Sequence, residues 1–403
     1  MNWEYVTLDK LGSVSRGRSK HRPRNDRALF GGKYPFVQTA DVKSAQFYLT
    51  EYTDTYNEVG LAQSKLWKAG TLCITIAANI ADTAILGIDA CFPDSVMGFI
   101  PFDGISNVKF VKYAFDILQR DCQKISQGTA QDNLSWKKLS TIKFPAPPIE
   151  IQDRIVDILS SYDDLIENNR KQIKLLEEAA QRIYKEWFVD LRFPGYETTA
   201  IIDGLPEGWK RDRADAFFDI TIGKTPPRAE KQWFVPGGEG IPWVSISDMG
   251  NSGVYILDTT EDLTREAIEK HNVKVVPQGT VFLSFKLTVG RVSIASADMC
   301  TNEAIAHFRV SEPQRIYLFL YLSNFEYDTL GNTSSISNAI NLKIVKAMPF
   351  VMPNQETLVS FSRLVSSLTN EIYTLQVQNH RLSEARDRLL PKLITGEMEV
   401  KKW

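Results

Sequence analysis

Cysteine and histidine are scarce in this chain, with four of each among 403 residues. Cys73, Cys91, Cys122 and Cys300 stand far apart with no C-x-x-C pair, so neither a zinc site nor a disulfide framework is expected, and the thiols should be buried. His21, His271, His307 and His380 show no ligand spacing, and no metal site is expected. Long apolar runs are missing too. None approaches the roughly 18 residues of a membrane span, and Met1-Asn2-Trp3-Glu4 opens no secretory signal, so the expected location is the cytoplasm. Charge of one sign is not in excess either: the formal net charge is −2, which removes the bulk basicity that announces many nucleic-acid binders. What is present, 24% charged and 43% hydrophobic residues, suits a globular chain with room for more than one core.

The sequence also repeats itself. A shift of 206 places Trp3 on Trp209, Leu11 on Phe217, Val14 on Ile220 and Gly17-Arg18-Ser19 on Gly223-Lys224-Thr225. Tyr34-Pro35-Phe36-Val37 with Asp41 answers Ile241-Pro242-Trp243-Val244 with Asp248, and at a shift of 209 Gly70-Thr71, Asp89, Cys91 and Phe99 fall on Gly279-Thr280, Asp298, Cys300 and Phe308. Solenoid units are only about 20 to 50 residues long. The period therefore marks a duplicated domain, for which a two-fold arrangement is the expectation.

Each copy reads as a mixed globular part followed by a long helix. Gly70 through Ile76 and Gly279 through Phe285 are strand-like runs, and helices are expected around Val111 to Lys124 and Arg315 to Leu330. Pro145, Pro147 and Pro148, then Pro349 and Pro353, make extended lead-ins to the long helices. In the first, Ile151, Ile155, Ile158, Tyr162, Leu165, Asn169, Ile173, Leu176, Ala180, Ile183 and Trp187 recur at steps of three and four, with one extra residue between Asn169 and Ile173. In the second, Leu358, Phe361, Val365, Leu368, Ile372, Leu375, Asn379, Leu382, Arg386, Leu389 and Leu393 alternate without a break, and Pro391 is expected to end or kink the helix. Both patterns are coiled-coil seams, and each carries one Asn, the kind of polar seam residue that fixes register. An amphipathic surface helix is the alternative, but surface helices usually run only about 10 to 14 residues.

The fold class is therefore α+β: two pseudo-two-fold-related mixed α/β domains separated by two long antiparallel coiled-coil helices. Expected boundaries are 1–148 for the first domain, 149–190 for a central helical spacer, 191–353 for the second domain and 354–403 for a C-terminal helical spacer. A helix of about 35 residues is a rod on the order of 50 Å. With a domain at each end it would span roughly one and a half turns of B-DNA, at about 34 Å per turn.

Charge is segregated within the neutral total. Arg16, Arg18, Lys20, Arg22, Arg24, Arg27 and Lys33 face the single acid Asp26, whereas residues 150–190 hold ten carboxylates against six Lys and Arg. A basic segment suits phosphate contacts and an acidic rod would stay off DNA, with a solvated loop as the competing explanation. In the second copy Lys210, Arg211, Arg213, Lys224, Arg228, Lys231 and Lys286 are diluted by acids. Base reading needs short side chains that donate and accept. Gln38 and Thr39 with Ser245 and Ser247, and Thr129, Gln131 and Asn133 with Ser334, Ser335 and Asn338, supply them at matching places. Turn chemistry is the competing explanation.

The whole chain resembles the specificity subunit of a Type I restriction-modification system. The residues that carry the likeness are Lys185-Glu186-Trp187-Phe188-Val189-Asp190-Leu191-Arg192-Phe193-Pro194-Gly195, Gly204-Leu205-Pro206-Glu207-Gly208-Trp209, and the stretch from Arg388 to Glu397. Where the family often has Pro-x-x-Glu-Gln at the start of a helix, this chain has Pro148-Ile149-Glu150-Ile151-Gln152 and Pro353-Asn354-Gln355-Glu356. The resemblance implies two target-recognition domains that each read half of a bipartite double-stranded DNA site, with the helices setting the spacer. It also implies two modification subunits docked on the helices, which use S-adenosylmethionine, and restriction subunits that use ATP and magnesium. This chain would itself catalyse nothing and carry no cofactor.

The sequence offers little to a catalyst. An Asn-Pro-Pro-Tyr-type methyltransferase motif and a glycine-rich cofactor loop do not occur. Gly223-Lys224-Thr225 mimics the end of a phosphate loop, but Phe218 stands where that loop needs glycine. Glu399-Val400-Lys401 has no Pro-Asp partner for a metal nuclease, Asp82 and Cys73 form no triad, and Asp163-Asp164 reads as a solvated helix face. Two rivals remain: a coiled-coil scaffold for proteins, and a target-recognition subunit of another restriction or phage-defence methyltransferase.

Overall fold

The structure, a computed structural model, describes residues 3–45, 47–77, 80–126, 136–330 and 340–400, without the side chains of 120–126. The chain forms two compact units, Met1–Ile166 with Leu382–Trp403, and Glu167–Arg381. Compactness thus draws its boundaries inside the long helices, Ile149–Tyr184 and Gln355–Ile394, rather than at their ends.

Unit 1 is built on a five-stranded sheet in the order Gly12–Arg16, Val96–Pro101, Leu72–Thr75, Thr83–Leu86, Tyr48–Leu49, antiparallel except for the last pair. The strand-like run at Gly70 becomes the central strand, and all four of its residues are buried. A continuous apolar run suits a strand covered on both faces. One face packs under the helix Val108–Ser126 through Phe110, Val111, Ala114 and Phe115, and the same core takes Ile155, Val156 and Leu159 of the first long helix with Leu393 and Ile394 of the second. A second sheet orders Asp54–Tyr56, Phe30–Phe36, Ala90–Cys91 and Leu66–Trp67.

Unit 2 repeats this plan. Its five-stranded sheet runs Asp219–Ile222, Ile305–Arg309, Val281–Ser284, Val292–Ala295, Tyr255–Ile256, again with only the last pair parallel. The helix Glu312–Ser323 takes the place of Val108–Ser126 and stops short of the expected Leu330, which lies in a separate 3-10 turn. Each unit closes with a two-stranded antiparallel ribbon: Tyr5–Thr7 pairs with Lys143–Pro145, and Lys210–Arg213 with Pro349–Met352. Cys73, Cys91 and Cys300 are buried and free, with burial pushing the Cys300 thiol up to about 12, and the Cys122 side chain is outside the described residues. No described helix is long and apolar enough to cross a membrane.

The second helical seam keeps the expected register: Leu358, Phe361, Val365, Ile372 and Leu375 are buried, and Leu368 and Leu382 are half-buried. Pro391 does not end that helix, which runs on to Ile394. The first seam needs correction. Ile158 and Leu165 are 37% and 38% exposed, and Leu159, Asp163 and Ile166 face inward instead. The reason is that the opening turns pack against the sheet domain as well as the second helix, so a strict three-four alternation from Ile151 drifts off the buried face. From Asn169 onward the expected positions return: Asn169 is buried, Ile173 and Leu176 are half-buried, and Tyr162 is half-buried before them. Within unit 2 the helices run antiparallel, since Asn169 meets Asn379 while Trp187 packs on Phe361 with ring centroids 5.7 Å apart.

The first long helix ends in a π turn, Lys185–Val189, whose extra residue per turn carries Trp187 and Phe188 inward. Phe188 and Phe193 both pack on Trp209, at 5.7 and 5.2 Å. The two quoted motifs around Trp187 and Trp209 therefore form one aromatic cluster. At the helix start, Gln152 is 1% exposed and fully used: its amide donates to the carbonyls of Ile105 and Pro147 and accepts from the Asn107 N–H. Asp163 is 6% exposed, which overturns its reading as a solvated residue. It accepts from the Tyr113 hydroxyl and pairs with the Arg386 guanidinium.

Candidate nucleic-acid interface

The basic segment of unit 1 is a loop seated by backbone contacts. Arg16 ends a strand, after which the Gly17 and Arg18 amides donate to the Val96 and Phe92 carbonyls at 2.8 and 3.0 Å. A Cβ on Gly17 would overlap the carbonyls of Phe92 and Pro93, so the close approach requires glycine. The Ser64 hydroxyl donates to the Arg18 carbonyl, and Gln63 Oε1 accepts from the amides of Lys20 and His21. All seven cations of the segment are exposed. Arg24 is held by Asp94 at 2.7 Å, Arg22 lies 4.0 Å from the same carboxylate, and Lys33 pairs with Glu58 at 3.2 Å. Arg16, Arg18, Lys20 and Arg27 form no ion pair among the described residues, and these four carry the loop's unspent charge.

Unit 2 builds the same seat with different side chains. The Lys224 amide donates to the Thr301 carbonyl at 2.9 Å, the counterpart of Arg18 on Phe92, and a Cβ on Gly223 would strike that carbonyl. Arg228 stands at the Arg22 position, and Glu303 at the Asp94 position. The Thr225 hydroxyl donates to Glu303. Burial works to raise the pKa of Glu303, but Thr225, its own backbone N–H and the charges of Lys286 and Arg228 bring it below the ordinary value. Arg228 also pairs with Glu261 at 2.6 Å and lies over the rings of Phe234 and Trp243. The Lys224 ammonium donates to the His271 carbonyl, so Gly223-Lys224-Thr225 is a seated loop rather than a phosphate cradle. Lys231 is exposed at the start of a 3-10 turn, and Lys286 is exposed beside the Phe285 ring.

The polar candidates divide. Gln38 and Ser245 are N-caps of the helices Thr39–Ser44 and Ile246–Asn251. In both, a buried aspartate accepts the cap amide and a threonine hydroxyl: Asp41 from Gln38 and Thr53, Asp248 from Ser245 and Thr260. Burial would raise the pKa of Asp248, but the Ser245 and Thr260 hydrogen bonds outweigh it and hold it low. Ser245 Oγ is committed to this box, and Gln38 Nε2 donates to Asp54. Thr39 is half-buried, whereas Ser247 is exposed with its hydroxyl unengaged among the described residues. Thr129, Gln131, Asn133, Ser334, Ser335 and Asn338 lie outside the described residues. Sequence reasoning missed Gln63, Ser64, Asp94 and Glu303, although the shift of 209 that pairs Cys91 with Cys300 also pairs Asp94 with Glu303.

Two copies of one fold each present a cationic loop seated on the same backbone rail. Residues 1–178 and 206–379 both match the Type I restriction modification DNA specificity domain, and the chain belongs to that family. Its repeats are DNA-specificity domains, and its work is recognition rather than catalysis. It is 25% identical to the Type I restriction enzyme MjaIX specificity subunit of Methanocaldococcus jannaschii, over 99% of this chain and 94% of the relative. It is 23% identical to the HindI specificity subunit of Haemophilus influenzae, over 96% and 98%. The crystal structure of a Type I restriction-modification S subunit from M. genitalium aligns over 100% of this chain and 97% of its own, with a TM-score of 0.59 at 14% identity, which makes the fold a shared one.

Proposed function

We propose that each repeat reads one half of a bipartite double-stranded DNA site, with Arg16, Arg18, Lys20 and Arg27 in one repeat and Lys231 and Lys286 in the other on phosphates. The observation that carries this reading is the matched seat, Gly17-Arg18 on Phe92 and Gly223-Lys224 on Thr301, each with a carboxylate beside it. Seated cations position a protein on a duplex, and polar side chains nearby specify sequence. The long helices set the spacer and dock two modification subunits. Ile158, Leu165 and Leu175, the last 64% exposed, are apolar side chains on the first helix that such a partner would cover. S-adenosylmethionine serves in those subunits, ATP and magnesium serve in restriction subunits, and the complex works in the cytoplasm. Family membership disfavours a coiled-coil scaffold. Co-expression with the modification subunit and mapping of methylated adenines tests the reading. A single gapped sequence is the expected product, and an ungapped one, or none, overturns it.

A further inference from the structure

The hairpin that follows the central strand is closed identically in both units. In unit 2 the Ser284 amide donates to the Arg291 carbonyl, the Gly290 amide to the Ser284 carbonyl, and the Arg291 amide to Ser284 Oγ, at 2.9, 3.0 and 3.0 Å. In unit 1 the Thr75 amide donates to Asp82, the Ala81 amide to the Thr75 carbonyl, and the Asp82 amide to Thr75 Oγ1, at 3.0, 2.9 and 3.0 Å. Every one of these residues matches its counterpart at the shift of 209. The tips differ: Lys286-Leu287-Thr288-Val289 replaces Ala77-Ala78-Asn79-Ile80. A constant clasp holding a variable tip is the arrangement expected where two copies of one scaffold read different sequences.

Leu287 is the unusual member of its tip. It is 97% exposed and has a φ of 62°, in the left-handed region that branched side chains rarely adopt. The Thr288 amide donates to the Lys286 carbonyl at 2.7 Å, closing a tight turn about Leu287, and Ser284 Oγ donates to the Thr288 carbonyl. One exposed leucine on a surface needs no explanation. A leucine held in a strained backbone by a hydrogen-bonded clasp does, because such strain gathers at ligand contacts. Its neighbour Lys286 is exposed and forms no ion pair among the described residues, and the Phe285 amide donates to the Ala304 carbonyl at 3.0 Å, next to the Glu303 that accepts from Thr225, which puts the tip beside the seated loop of unit 2. On a major-groove edge the one apolar feature is the 5-methyl group of thymine.

We propose that Leu287 is a specificity-determining residue that packs on a thymine 5-methyl group in the half-site read by unit 2, while Lys286 takes an adjoining phosphate. This rests on the DNA-reading function above. The test uses the complex with its modification subunit and duplexes of the mapped site in which each thymine is replaced in turn by uracil. Wild type is expected to lose about fourfold in affinity at one position of one half-site, the worth of a single buried methyl group. Leu287→Ala should bind the parent duplex about fourfold more weakly and be indifferent to uracil there. Leu287→Gly, which relieves the left-handed backbone, should behave alike and so separates lost contact from lost folding. Indifference of wild type to every uracil, continued discrimination by Leu287→Ala, or a mapped half-site pair without thymine overturns the inference alone, as would a wedge between bases that ignores the methyl group. A wild-type complex that methylates no gapped site sinks the functional reading first, before any variant is made.

Discussion

Asn169 donates from Nδ2 to Asn379 Oδ1 at 2.9 Å, and the same amide reaches Gln378 Oε1 at 2.9 Å. Each asparagine is the one Asn of its own seam, so the two seams satisfy each other's polar residue inside an apolar interface. Removing Asn169 takes its hydrogen bond from the half-buried Asn379, at a cost of about 0.5–1.5 kcal/mol. Asn169→Leu should lower the unfolding free energy by that amount in denaturant titration, and Asn169→Leu with Asn379→Leu should recover most of it. A double variant less stable than the single would show that the pair contributes more than register.

Asp163 gives a second stability test, in unit 1. It is 6% exposed and joined to both Tyr113 and Arg386. Burial, then the neighbouring Asp163 carboxylate, pushes the Tyr113 hydroxyl pKa up, so Tyr113 stays a donor across the working pH range. Asp163→Ala leaves the buried Tyr113 hydroxyl without its acceptor and Arg386 paired with Asp387 alone, and should cost about 1–3 kcal/mol. Asp163→Leu with Arg386→Met should cost much less. Hydrogen exchange of the amides in Val108–Ser126 would read both.

The cations of the unit 1 loop should not contribute equally to DNA binding. Arg18→Ala and Lys20→Ala remove unspent charges and should each flatten the slope of log affinity against log salt by about 0.9. Arg24→Ala removes a charge already held by Asp94 at 2.7 Å and should change the slope less. Filter binding across a salt series checks the order, and equal slopes for all three would contradict the ion-pair assignment.

His307 makes stability depend on pH. Burial, then the charges of Lys274 and Arg309, holds its pKa down to about 3 from 6.5. A base whose folded pKa lies below its free value stabilises the fold fully above pH 6.5 and loses that contribution as the pH falls toward 3. The limiting slope is about 1.4 kcal/mol per pH unit. His307 Nε2 and Thr301 Oγ1 share a hydrogen bond at 2.7 Å. His307→Gln should flatten the fall in unfolding midpoint on acidification, as followed by circular dichroism.

Much of the fold was legible because duplication supplied an internal comparison. The central strands at Leu72 and Val281 and the whole second seam follow from apolar runs and an unbroken heptad. The first seam went astray at Ile158 and Leu165 because apolar spacing cannot rank Ile158 against Leu159 when the opening turns face two neighbours. Asp163 was misread for a related reason: its partners Tyr113 and Arg386 lie 50 and 223 residues away, and no local pattern announces them. In the interface the cations were visible in the sequence. What seats them was not, since Gln63 and Ser64 reach the loop from more than 40 residues off.

The terminal ribbons reach beyond stability. Tyr5 lies opposite Pro145, and Lys210 opposite Met352, so the chain enters and leaves each head through adjacent strands. A head fastened this way is a cassette with both joints on one hinge plate. Another head of the same design could be spliced in at those strands without lengthening or redirecting either helix, and a new reading frame for DNA would need no redesign of the rest.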